Sequence, residues 1–199
     1  MFAWIRKLYD WTLGLASRPN AIYWLAAVSF AESSFFPIPP DLMIIPMCLA
    51  NRERTAKIVT VATLASILGG LFGYWIGFYA FDSIGVPILN FYGAMGKYDQ
   101  FQHYFDLYGA IMIVVAGFSP IPYKVITISA GVFHFPIGLF FLLSLASRGC
   151  RFALEGLLLW FFGQKAQTMI DKHFNKLTIV AAVLLVGGFV AVKWIAGKA

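Results

Sequence analysis

The sequence predicts an all-α polytopic membrane protein with two opposed re-entrant helical hairpins, about three full transmembrane helices and an N-terminal amphipathic helix. Three observations carry this. Of 199 residues, 60% are hydrophobic and only 12% charged, with a mean hydropathy of +0.78, whereas soluble domains carry about 25% charged residues. Two stretches, Glu32 to Asp41 and Phe118 to Lys124, place proline breaks and charged side chains between short apolar runs. The remaining apolar segments reach the roughly 20 residues that a spanning helix needs.

Residues 1–18 interleave Arg6, Lys7 and Asp10 with Trp4, Leu8, Trp11 and Leu15, the pattern of an interfacial helix with tryptophans at head-group depth. The uninterrupted apolar core and small-residue cleavage site of a cleavable signal are missing. Ser17-Arg18-Pro19-Asn20 then stops one helix and starts the next.

The membrane core is expected over residues 19–163, with its first hairpin near 21–50. Ile22 to Phe30 and Leu42 to Leu49 are each too short to cross alone. Pro37, Pro39 and Pro40 between them lack N–H groups and clash with a preceding helical turn, so the backbone must open. Open backbone at membrane depth is tolerated only when protein or a water-filled cavity covers it. Arg6, Lys7 and Arg18 precede the hairpin and Arg52, Arg54 and Lys57 follow it, so both ends are expected on the cytoplasmic side.

Ile58 to Phe81 is the first full span. Gly69, Gly73 and Gly77 recur every fourth residue along it, a stripe without side chains against which another helix packs closely. Residues 82–106 hold Asp82, Asp99 and Asp106 against Lys97, with many aromatics, and are expected at the outer interface. His103 there has no second His or Cys at metal spacing.

The second hairpin is expected near 109–134, where Pro120 and Pro122 separate Ala110 to Gly117 from Val125 to Gly131, with Lys124 beside the break. Two broken helices in corresponding places, one acidic and one basic, point to a transporter site between inverted halves. Pro136 to Phe162 is apolar except around Arg148, Arg151 and Glu155. As one helix it rises about 40 Å and puts both arginines near mid-bilayer; the alternative is a short loop at 148–151 between two half-helices. Residues 164–199 form a lysine-bearing loop and a last span, Leu177 to Ile195, and Lys193 and Lys198 beyond it leave the side of the C-terminus open.

The ionisable groups at membrane depth divide by chemistry. Glu32 and Asp41 are proton-coupling candidates, because a buried carboxylate exchanges a proton as an arginine partner comes and goes. Lys124, Arg148 and Arg151 are candidates for binding an anionic head group, the guanidinium groups as bidentate forks and the lysine as a point charge. The competing reading is that these charges only pair with one another to hold the fold. A net charge of +6 is assigned to topology and anionic-lipid contact, with no nucleic-acid partner. Cys48 and Cys150 are read as small apolar residues without a disulfide. His134 and His173 stand in no motif and Ser33-Ser34 has no base at recognisable spacing, so neither an enzyme, a metal nor a cofactor is expected.

Phe30-Ala31-Glu32, Phe36-Pro37-Ile38-Pro39-Pro40-Asp41, Gly73-Tyr74-Trp75-Ile76-Gly77 and Ala116 to Lys124 leading to Ser129-Ala130-Gly131 together resemble the DedA family, which groups with the eukaryotic VTT-domain lipid scramblases, and within it a short bacterial branch labelled YqaA. The resemblance covers roughly Ala21 to Gly163. It implies a multi-pass protein of the bacterial inner membrane with two opposed re-entrant hairpins. The implied function is a lipid transporter or flippase for undecaprenyl phosphate or a related anionic lipid, linked to the proton-motive force. Glu32 matches the first-hairpin glutamate of the family, and Asp41, at a shorter spacing, its second acid. Many members carry an arginine on each side of the second proline break; here Gly117 and Phe118 occupy the first place and Lys124 the second. Either Arg148 and Arg151 supply the missing guanidinium groups, or this branch moves a different lipid. A phospholipid scramblase-like or structural membrane-homeostasis protein without coupled transport is the alternative function, and the oligomeric state is left open between monomer and homo-oligomer.

Overall fold

The computed structural model describes residues 14, 16, 18–35, 38–91, 95–119 and 122–163. The expected cytoplasmic loop and last span over 164–199 lie outside the described residues, as do nearly all of the N-terminal helix, Pro37 and Pro120. The chain divides into compact units Met1–Trp160 and Phe161–Ala199. Among the described residues every regular element is helical. In order these are α1 (Ala21–Ser34), α2 (Asp41–Ala50), α3 (Thr55–Ala80), α4 (Val86–Phe91), α5 (Met95–Phe118), α6 (Tyr123–Val132) and α7 (Ile137–Gly163). A 3-10 turn over Arg52–Arg54 leads into α3 and a π-helical turn over Phe81–Gly85 leads out of it.

The prolines set the breaks on both hairpins in the same way. Pro40 is the N-cap of α2 with φ −66°, and its carbonyl accepts the N–H groups of Met43 and Ile44. Pro122 caps α6 with φ −59° and accepts the N–H of Val125. A residue with fixed φ and no N–H ends the incoming helix yet suits the start of the next one. Pro39 lies in the short link before α2, its carbonyl accepting the N–H of Leu42.

One expected boundary is placed differently. The helix expected to enter the second hairpin at Gly109 instead runs unbroken from Met95. No proline interrupts it, and Gly109 packs beneath the rings of Phe105 and Phe135, so the helix continues through the glycine. Of the two readings of residues 136–162, α7 takes the continuous one, passing through Arg148-Gly149-Cys150-Arg151 without a break. At its other end α6 closes with His134 at φ 53°. The N–H of His134 bonds the Gly131 carbonyl and that of Phe135 the Ala130 carbonyl, the paired bonds of a left-handed helix cap in which His replaces the usual Gly.

The glycine stripe is where α3 meets both hairpins. A Cβ on Gly69 would collide with the backbone of Phe30 in α1, and one on Gly77 with the backbone of Ile128 in α6. At Gly73, between them, it would lie 2.5 Å from the Thr127 hydroxyl and 3.3 Å from the Ser33 carbonyl. Gly131 on α6 is itself pressed against the Tyr74 carbonyl. Elsewhere on α3, Leu64, Leu68, Phe72, Trp75 and Tyr79 are exposed, a surface that lipid solvates and water does not.

Two apolar clusters flank the middle of the bundle. One joins Leu25, Val28, Met43, Ile44, Ile58, Ala62, Phe152 and Leu159. The other joins Tyr74, Phe105, Ile113, Tyr123, Ile126, Ala130 and Phe140. α3 therefore runs from the first cluster to the second and α7 runs back. The residues between the clusters on these helices include Ser66 and Arg148, both buried.

Gly77→Ala is expected to cost roughly 1–3 kcal/mol by over-packing the α3–α6 contact. Gly138→Ala, whose Cβ meets nothing within 4 Å, is expected to be neutral or to gain up to about 1 kcal/mol as a helical glycine is removed. Thermal unfolding of the purified proteins in detergent checks both.

Candidate functional site

At the end of α1, just before the first proline break, Glu32 and Ser33 meet the middle of α3 and α7. Arg148 Nη2 donates to Glu32 Oε2 at 2.7 Å and Arg148 Nε to Ser66 Oγ at 2.7 Å. Ser33 Oγ donates to Glu32 Oε2 at 3.2 Å and lies 2.7 Å from Ser66 Oγ. A hydroxyl has one proton to give. With the Ser33 proton on Glu32, Ser66 must donate to Ser33, and the four side chains form a closed circuit in which each bond is satisfied. Arg148 is 3% exposed and Glu32 18%, so this is a charge pair largely removed from solvent.

Aromatic and hydroxyl groups complete the walls. The Arg148 guanidinium sits 5.0 Å from the Tyr123 ring centroid and 4.8 Å from that of Phe152, geometry for cation–π attraction on two sides. Tyr123 O–H donates to Ser144 Oγ at 2.5 Å. Thr127 of α6 donates to the Ser33 carbonyl at 3.1 Å, and Ser34 donates to the Gly69 carbonyl at 3.0 Å. The end of α1 and the middle of α6 thus touch each other at Ser33 and Thr127, over Gly73 of α3.

A second pair lies one turn along α7. Arg151 Nη2 donates to Asp41 Oδ1 at 2.8 Å, with the two side chains 25% and 24% exposed, and Phe152 again flanks the guanidinium at 5.2 Å. Glu155 stands four residues beyond Arg151 on the same face of α7. Arg148 and Arg151 are thus paired with Glu32 and Asp41, with Glu155 one turn beyond Arg151 on α7.

The depth of this layer follows from helix counting. Ser66 is the twelfth of the 26 residues of α3, and Arg148 the twelfth of the 27 in α7. Both long helices thus place the polar layer close to their midpoints.

Of the residues singled out from sequence, Glu32, Asp41, Arg148 and Arg151 come together. Lys124 does not join them: it is half-buried, enters neither ion pair among the described residues, and its backbone carbonyl shares the single Thr127 hydroxyl proton with the Ser33 carbonyl. Ser33, Ser66, Tyr123 and Thr127 were not among the candidates, and Glu155 had no assigned role. Their signal was available, since a hydroxyl within an apolar span must find a partner, but which partner depends on packing. Both cysteines are free thiols; Cys48 is buried as a small hydrophobe would be, but Cys150, expected buried as well, is exposed because it falls on the outward face of α7.

Arg148→Ala is expected to destabilise by about 3–5 kcal/mol, because it leaves Glu32 buried without its cation. Glu32→Gln combined with Arg148→Gln should recover part of that loss, with a coupling of roughly 0.5–3 kcal/mol in a double-mutant cycle. Arg151→Ala, in the more exposed pair, should cost less; unfolding in detergent gives all of these values.

Comparison with known proteins identifies similar chains. A family model described as the VTT domain matches residues 38–161. An uncharacterized protein of Haemophilus influenzae is 36% identical over 94% of this chain and 96% of its own length. One of Histophilus somni is 42% identical over 79% of this chain and 82% of its own. A more distant uncharacterized protein of Methanocaldococcus jannaschii is 27% identical over 62% of this chain and 74% of its own. No solved structure matches.

Proposed function

Because the chain belongs to the VTT-domain family, a family of membrane proteins associated with lipid-related transport, we propose that it moves an anionic phosphate lipid across the bilayer, with protons exchanged on the acids of its central charged layer. The observation that carries this reading is the meeting of two proline-broken hairpins at a layer of paired guanidinium and carboxyl groups halfway along both long helices. Broken helices at mid-depth are how secondary transporters build substrate sites. In this reading both hairpins are re-entrant, the membrane is a bacterial inner membrane, and the chain is a member of the YqaA-like branch.

The chemistry follows from the charge count. Two guanidinium groups balance two carboxylates, Arg148 with Glu32 and Arg151 with Asp41. An arriving lipid phosphate competes with Glu32 and Asp41 for Arg148 and Arg151, since phosphate and carboxylate use the same guanidinium fork. A carboxylate that loses its arginine in a water-poor site takes up a proton. Phosphate binding and proton uptake are thereby linked, and Glu32 and Asp41 are the groups assigned to the exchange. Lys124, outside the ion pairs, is assigned to the approaching head group. Undecaprenyl phosphate, a phosphomonoester on a long isoprenoid chain, is the substrate we assign.

One observation favours a second reading. Both arginines are already matched by acids, which suits a scramblase-like or structural protein whose charges hold the hairpins together. Flipping of labelled undecaprenyl phosphate in proteoliposomes, with and without a pH gradient, separates the readings. Gradient-responsive flipping by wild type, lost in Glu32→Gln with the protein still folded, is the expected result. Flipping indifferent to the gradient selects the scramblase-like reading, and no flipping above empty vesicles refutes this substrate.

A further inference from the structure

A different charged site lies at the opposite end of the first hairpin from its proline break. A cavity of about 200 Å³ opens there between the start of α1, the end of α2 and the first turn of α3. Arg18, Arg54 and Lys57 line it, with Ile22, Met47 and Ile58 as its apolar part, and no Asp or Glu is among the lining residues. Glu53, next to Arg54 in the chain, is not part of the wall. All three cations are exposed and, among the described residues, none forms an ion pair. They come from three segments: the turn before α1, the 3-10 turn and α3.

The contrast with the central layer is one of charge balance. In the centre each arginine has its acid; here three like charges converge on a concavity with none. Like charges brought together repel, and an anion between them relieves that repulsion. The start of α3 adds the positive end of its dipole.

Helix geometry gives the depth. Lys57 precedes Ser66 by nine residues on α3, about 14 Å at 1.5 Å per residue, and half of a bilayer's hydrocarbon thickness is about 15 Å. With the central layer at mid-depth, the cavity sits at head-group level, polar toward water and apolar toward lipid.

We propose that this cavity binds the phosphate of an anionic phospholipid head group, held by Arg18, Arg54 and Lys57, with the first methylenes of the lipid on Ile22, Met47 and Ile58. A lipid is preferred over free phosphate because half of the wall is apolar. The site rests on the membrane placement of the chain and not on transport.

The test is binding of dihexanoyl phosphatidic acid to the full-length protein in neutral detergent by calorimetry, with dihexanoyl phosphatidylcholine and inorganic phosphate as comparison ligands. Arg54→Gln combined with Lys57→Gln is expected to weaken phosphatidic acid binding about tenfold or more, the loss for removing charge-assisted contacts. Arg52→Gln removes an exposed cation of the same turn that does not line the cavity, and should change binding less than about twofold, as a rim charge does. These residues are exposed, so an unchanged unfolding temperature should accompany all the variants. Equal weakening by Arg52→Gln would show diffuse surface charge instead of a site, and undiminished binding in the double variant would remove the site. Inorganic phosphate binding as tightly as the lipid, with the same dependence on Arg54 and Lys57, would overturn the lipid assignment. No flipping is measured, so failure here and failure of the transport reading are separate results.

Discussion

Burial of Arg148 in the middle of an apolar helix is the constraint on which the rest of the bundle depends. A guanidinium cannot be deprotonated away, so at this depth it needs an anion and acceptors for its N–H groups. Glu32 and Ser66 supply them, from two other helices. α1 must therefore end where it does, with Glu32 in its last turn, and α3 must bring a small hydroxyl to its own midpoint. The aromatic walls of Tyr123 and Phe152 then exclude water and attract the cation together.

Such a meeting requires close backbones, and this explains the glycines of α3. Association of helices within lipid gains little from the hydrophobic effect and relies on packing and inter-helix hydrogen bonds. Phe30 and Ile128 approach α3 at Gly69 and Gly77 so closely that a methyl group would not fit. The same approach allows Ser34 to reach the Gly69 carbonyl and Thr127 to reach Ser33. Packing and polar satisfaction are one arrangement here, because the hydroxyls span only the gap that the glycines leave.

The molecule thus manages positive charge in two ways. In the centre, cations and acids are matched, which ties α1 and α2 to α7. At the basic end, cations stand unmatched around a small cavity that takes an anion without displacing anything. The outer central pair, Arg151 with Asp41, is about a quarter exposed and next to the additional carboxyl of Glu155. It is accordingly the more accessible part of the layer, while Arg148 forms its fixed part.

Much of this architecture can be read from residue order. Composition dictates a helical membrane protein, because so few charges cannot solvate a chain this apolar. The prolines mark the breaks, since they lack the N–H a helix needs, and the three glycines mark a close-packed face by their spacing. Glu32, Asp41, Arg148 and Arg151 stand out because ions are rare in apolar segments. What residue order does not encode is partnership. That Arg148 takes Glu32 while Arg151 takes Asp41, that Lys124 joins neither, and that Ser33 and Ser66 close the circuit all depend on contacts between groups 33 to 116 positions apart. The same holds for the cavity of Arg18, Arg54 and Lys57, which appear in the chain as loop charges. Local propensity and periodicity set the helices and their breaks; only the tertiary packing, by choosing which helix faces meet, decided which charges were neutralised and which were left to bind something else.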